Sequence, residues 1–157
     1  MSQSIPMVVN GWTLYTHPLF AEQYLGLKAR VESLKQKDPT GYVKKNATKR
    51  LAAIQKLIFQ VIPHDPTSPD FRQGSTLGSE NKHWFRAKFF QQYRLFFRYH
   101  LESKVIVYAW VNDEKNKRAC GSKTDAYKVF EKMLKSGNPP EGWDELLKAA
   151  EDETLSP

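Results

Sequence analysis

The chain has 157 residues, 40% hydrophobic and 13% aromatic, which is enough for a single domain over residues 1–157 with a real core and too much for a disordered segment. A net charge of +7 and a pI near 9.4 favour an anionic partner, nucleic acid before a membrane surface, because no long amphipathic basic helix stands out. The single cysteine, Cys120, excludes an intrachain disulfide and a thiolate metal cluster; with no signal-peptide pattern and no bilayer-length apolar run, a cytoplasmic protein is expected.

In chain order, Met7 to Tyr15 reads as a short strand. Phe20, Tyr24, Leu27, Val31 and Leu34 then recur at helical spacing until Asp38, Pro39 and Gly41 interrupt them. A second amphipathic helix places Leu51, Ile54, Ile58 and Val61 on one face and is expected to stop before Pro63. The two form a helical hairpin. The stretch from Pro63 to Lys82, rich in Pro, Gly, Ser and Asp, reads as a surface loop.

Three strands follow, at His83 to Phe89, Tyr93 to His100 and Lys104 to Val111. Alternation puts Tyr93, Leu95, Phe97 and Tyr99 on a core face, and Arg94, Phe96, Arg98 and His100 on the other. Pairing Phe89 with Tyr93 sets Lys88 beside Arg94 and Trp84 beside Arg98. Pairing His100 with Lys104 brings Trp110 beside Arg94 and puts Tyr108 on the same cationic face. Thr124 or Asp125 then caps a helix that turns Phe130, Met133 and Leu134 inward, packs on the sheet and stops at Gly137. Asn138, Pro139 and Glu141 open a last helix through Trp143, Leu146, Leu147 and Ala150.

Like charges side by side on a sheet are unfavourable unless a counter-anion is present or each charge reaches water. For Arg86, Lys88, Arg94 and Arg98, phosphates supply one explanation and a solvated one-sided sheet another. Trp84, Phe96, Tyr108 and Trp110 favour the first, since exposed aromatics beside arginines stack on unpaired bases. Lys117 and Arg118 lie on a loop that can reach over this face, and His100 is a strand-end residue with a wet tip. Tyr127 is either a boundary aromatic or a phenol that exchanges a proton beside arginines. No metal-ligand spacing, phosphate-cradling glycine loop or nucleophile motif is seen, so no cofactor or metal is expected.

VNGWTLYTHPLF, FRQGSTLG, HWFRAKF, YRLFFRYH, WVNDE, KTDAYKVFEKML and GNPPEGW together resemble the YhaV family of type II toxin-antitoxin toxins, within the RelE-like ribonuclease superfamily. WVNDE followed by KTDAY is the most diagnostic pair. The resemblance implies an α+β domain, with an N-terminal helical hairpin packed on a small, mainly antiparallel sheet and with C-terminal helices. It implies a toxic, growth-inhibiting RNA endonuclease acting on mRNA, on or off the ribosome. It also implies a PrlF-type antitoxin, in complex with which the toxin meets operator DNA, and no membrane partner.

Motif position implies a catalytic set of Arg94, Arg86, Lys88, Tyr127 and one of Lys115, Lys117 and Arg118, with Arg118 favoured. Arg98, Trp84, Lys117, Trp110 and His100 are expected to contact RNA. In-line attack by the RNA's own 2′-hydroxyl suits these residue types and needs no metal. A non-catalytic RNA-binding module on the same face is the alternative. An acidic antitoxin segment is expected to occupy the phosphate positions around Arg86, Arg94 and Arg98.

Overall fold

The first apolar run is not one strand but a hairpin. Asn10 and Gly11 both have positive φ, 53° and 83°, as a type I′ turn requires, and they join β1 (Met7–Val9) to β2 (Trp12–Thr16). This is a computed structural model that describes residues 7–74, 76–113, 125–151 and 155.

α1 (Pro18–Lys37) starts at His17, whose Nδ1 accepts the Leu19 N–H at 3.1 Å. Burial holds the His17 imidazole below its ordinary pKa, which suits a ring that accepts at its cap. α2 (Asn46–Lys56) follows, and its continuation corrects the expected stop: a π-helical stretch, Leu57–Val61, and a single turn, α3 (Ile62–His64), carry the chain through Pro63. The Ile62 N–H reaches back to the Leu57 carbonyl, and Pro63 has no N–H, so the Ile58 carbonyl lacks that backbone donor. The buried Tyr108 hydroxyl supplies one at 2.6 Å.

The loop from 65 to 84 is more than a connector. Gln73 Nε2 donates to the Asn81 carbonyl at 2.8 Å, Gln73 Oε1 accepts from the Leu77 N–H, and Asn81 Nδ2 donates to the Leu77 carbonyl. This network buries Leu77, and Phe71 packs edge-on against Phe97.

The strands β3 (Phe85–Phe89), β4 (Tyr93–His100) and β5 (Val105–Val111) complete a five-stranded sheet in the order β1-β2-β5-β4-β3, antiparallel except where β2 meets β5. The β3–β4 register is the expected one, with Phe89 opposite Tyr93 and Lys88 opposite Arg94. The β4–β5 register is not. His100 pairs with Val105 rather than Lys104, which lies in the turn at φ 55°. The register then shifts again between Phe97↔Tyr108 and Phe96↔Trp110, so Ala109 is an extra residue in β5.

A one-residue slip turns every side chain over, and the bulge turns them back. Tyr108 therefore faces α1 and α2, not the cations, while Trp110 lies on the other face beside Phe96.

The second correction concerns that other face, which is not wet. α4 (Ala126–Lys135) and α5 (Trp143–Glu151) cover it, with Phe130 stacked on Phe96 at 4.3 Å and Trp84, Trp110, Leu134, Leu146 and Ala150 in the same cluster. A sheet strip bearing Trp, Phe and Trp is too apolar to leave in water, so it takes a helical layer. The opposite face packs Phe20, Tyr24, Ile54 and Ile58 against Leu14, Leu95, Phe97 and Ile106.

Asp125 caps α4, and Gly137 at φ 85° ends it with the paired bonds Gly137 N–H to Leu134 and Asn138 N–H to Met133. α5 begins at Trp143, later than expected, because residues 138–142 are bent and irregular. Among the described residues no helix is long and apolar enough to cross a membrane.

Tyr108→Phe leaves the Ile58 carbonyl buried without that donor and is expected to lower stability by about 1–3 kcal/mol. Urea denaturation measures it; an unchanged midpoint would show that the π segment does not need this bond.

Candidate functional site: two arginines on one phenol

β3, β4 and the first turn of α4 meet where the hairpin leaves the sheet. Tyr127 is the second residue of α4, and its N–H donates to the Asp125 carboxylate at 3.1 Å, so the helix cap also positions the phenol. Arg86 projects from β3 and Arg94 from β4. Arg86 Nε donates to the Tyr127 hydroxyl oxygen at 2.9 Å, and Arg94 Nε donates to the same oxygen at 3.2 Å. Tyr127 is 4% exposed, and its ring stands edge-on to Phe96.

Each guanidinium is also held by carbonyls. Arg86 Nη1 donates to the Asp70 carbonyl at 2.7 Å, and Arg94 Nη1 donates to those of Gln91 at 2.7 Å and Tyr93 at 2.9 Å. Arg94 is thus not displayed on an outer face, as the alternation implied, but is 8% exposed and fixed in place. Among the described residues no carboxylate pairs with either arginine, and neither Nη2 group makes a hydrogen bond. Two neighbouring cations answered only by neutral oxygens favour an added anion strongly. Lys88, opposite Arg94 and exposed, adds charge at the rim.

Other expected contacts lie elsewhere. Trp84 is 0% exposed and Trp110 is buried, so neither offers a ring face to a base, and the same holds for Phe96 and Tyr108. Arg98 is sandwiched between Trp84 and Trp143, its Cζ 5.5 and 5.4 Å from their ring centroids, and it donates to the Glu141 carbonyl at 2.6 Å. Burial lowers its pKa from the ordinary guanidinium value, partly offset by Glu141; its place is a clamp on the segment before α5. His100 stacks on Trp143 and bonds Ser103 at 2.8 Å. Lys115, Lys117 and Arg118 lie outside the described residues. No group of three His, Cys, Asp or Glu side chains among the described residues could hold a metal ion.

Residue-by-residue reading of the sequence missed Asn112. Buried at the end of β5, its Oδ1 accepts the Arg94 N–H at 2.6 Å and its Nδ2 donates to the Gln92 carbonyl at 3.0 Å, tying the hairpin tip to β5. Gln23 of α1 supports that end of β5 by bonding both the N–H and the carbonyl of Val111. The signal for Asn112 was the WVNDE motif, to which no contact had been attached.

The family described as "Toxin with endonuclease activity, of toxin-antitoxin system" matches residues 14–151. The chain belongs to this YhaV toxin family. "Ribonuclease toxin YhaV" of Escherichia coli K12 is 53% identical over 149 residues, 94% of this chain and 97% of the relative, and "Toxin YhaV" of Escherichia coli O157:H7 is equally similar. No solved structure matches. In a family with endonuclease activity, paired guanidiniums on a phenol are chemically apt, because they hold phosphate oxygens and steady a phenol oxygen as it loses its proton.

Asn112→Ala removes the acceptor of a buried N–H next to the site and is expected to cost about 1–3 kcal/mol. Nuclease activity should fall with it at temperatures where the variant is still folded. Wild-type stability and wild-type cutting together would show that Asn112 does not position Arg94.

Proposed function

We propose that the protein is the toxin of a type II toxin-antitoxin pair and a metal-independent endoribonuclease that cuts mRNA by attack of the RNA's own 2′-hydroxyl. The observation that carries this reading is the convergence of Arg86 and Arg94 on the Tyr127 oxygen, neither arginine having a carboxylate partner among the described residues. The Nη2 groups receive the non-bridging oxygens of the scissile phosphate, with Lys88 adding charge from the rim and Arg118 assigned to the catalytic set on motif position alone. As the 2′-oxygen bonds to phosphorus it releases its proton to solvent, and the bond from phosphorus to the 5′-oxygen breaks. Tyr127, its oxygen already accepting from two donors, gives its proton to that 5′-oxygen, and the arginines stabilise the phenolate until solvent reprotonates it.

With Trp84 and Trp110 inside the core, the base contact passes to Phe90. This ring is 52% exposed at the hairpin tip, one residue before the carbonyl that Arg94 binds. The RelE-like assignment draws support from α1 and α2 on one sheet face and a C-terminal helix carrying Tyr127 on the other. The partner in this reading is a PrlF-type antitoxin, which also carries the complex to operator DNA, and the substrate is mRNA free or on the ribosome.

RNA cleavage in EDTA tests the reading. Cutting should persist under chelation, leave 2′,3′-cyclic phosphate ends and stop when the ribose at the cut site is 2′-deoxy. Products with 5′-phosphate, or loss of cutting on chelation, would point to metal-assisted hydrolysis, and RNA retention without new ends to binding alone.

A further inference from the structure

On the reverse side of the sheet from Tyr127, a cavity of about 270 Å³ opens between α1, α2 and the sheet end. Tyr24, Leu27 and Ile54 line it from the helices, and Phe89, Tyr93 and Val111 from the strands. Arg30 and Arg50 bring positive charge, while Asp113 stands at the β5 end. Arg50 lies over the Tyr93 ring with its Cζ 5.8 Å from the centroid, and its Nε is buried without a hydrogen bond. A buried, unanswered guanidinium N–H beside aromatic walls calls for an acceptor from outside.

Gly26 gives a handle on the cavity mouth. It lines the cavity from the middle of α1, where glycine costs about 1 kcal/mol relative to alanine, yet a Cβ there would meet nothing within 4 Å. Neither packing nor a positive φ requires glycine here. Only a side chain longer than alanine would reach into the cavity mouth from this position.

The cavity also touches the machinery of the site. Tyr93 and Asn112 are in its lining, and they are the residues whose carbonyl and Oδ1 hold Arg94. An occupant would touch these supports, while Arg94 itself is not part of the lining.

We propose that this cavity is the docking site for a segment of the cognate antitoxin that presents an apolar side chain beside a carboxylate. The apolar group fills the space between Tyr24 and Tyr93, the carboxylate accepts from Arg50, and Arg30 adds long-range attraction. An acidic segment complements the two arginines of the lining and a chain of charge +7. The proposal rests on the toxin reading for the identity of the partner.

The test titrates purified cognate antitoxin into wild-type, Gly26→Ala and Gly26→Leu toxin by calorimetry, with melting and RNA cleavage of each free toxin measured in parallel. Gly26→Ala should bind like wild type, whereas Gly26→Leu, folded and cutting RNA normally, should bind about tenfold more weakly or worse and escape inhibition accordingly. Arg50→Met should weaken binding and flatten its dependence on salt. Wild-type affinity of a folded Gly26→Leu toxin would overturn the proposal, as would hydrogen-exchange protection confined to the Arg86, Arg94 and Tyr127 face. If the free toxins cut no RNA at all, the nuclease reading fails, while the affinity comparison still decides the docking site.

Discussion

The site depends on one extra residue in β5. Without the bulge at Ala109, the register of His100↔Val105 would run on and set Val111 opposite Arg94. With it, Leu95 meets Val111, and Arg94 comes opposite Asn112, whose side chain binds the Arg94 N–H and the Gln92 carbonyl. The same shift lets β5 serve both cores: Tyr108 bonds the π segment on the α1–α2 side, and two residues on Trp110 stacks with Phe96 beneath α4. A strand that kept strict alternation could do one or the other.

Around that register the protein builds an electrostatic conflict and leaves it open. Arg86 and Arg94 gather on one phenol and three backbone carbonyls, all neutral, so among the described residues their positive charge is held in place and incompletely compensated. Preorganised charge of this kind binds a developing phosphorane better than water does, because the donors need not reorganise. The hairpin tip shows the cost of holding it. Phe90 and Gln91 adopt φ values of 44° and 64°, unusual for non-glycine residues, and the Arg94 and Asn112 side chains bond the carbonyls of Gln91 and Gln92.

How much of this was legible follows from which signals were local. The β3–β4 register was readable because FRAKF and YRLFFRYH alternate cleanly about a short connection, and that alone set Lys88 opposite Arg94 and Phe97 in the core. Lys104 reads as a strand residue but lies in the turn at φ 55°, so the expected register starts one residue early and turns Tyr108 to the wrong face, and the bulge that brings Trp110 back carries no glycine or proline to mark it. Alternation also cannot tell a second core from a wet face. Trp84 and Phe96 looked like stacking platforms until Phe130 was seen to cover them. The β1–β2 turn was legible in Asn10-Gly11 and was overlooked. The pairing of both arginines with Tyr127 spans 41 and 33 residues of sequence, beyond any periodicity, and only the motif resemblance brought the three together in advance.

The central claim is that Arg86, Arg94 and Tyr127 act as one unit. A double-mutant cycle on single-turnover RNA cleavage by Arg86→Ala, Tyr127→Phe and the combined variant, each shown to be folded by its melting transition, tests this most directly. Each single change should slow cutting about 100-fold or more, and the combined variant should be little slower than either, because groups that work as a unit are lost together. Wild-type rates in the single variants, or losses that simply multiply in the combined one, would contradict the account.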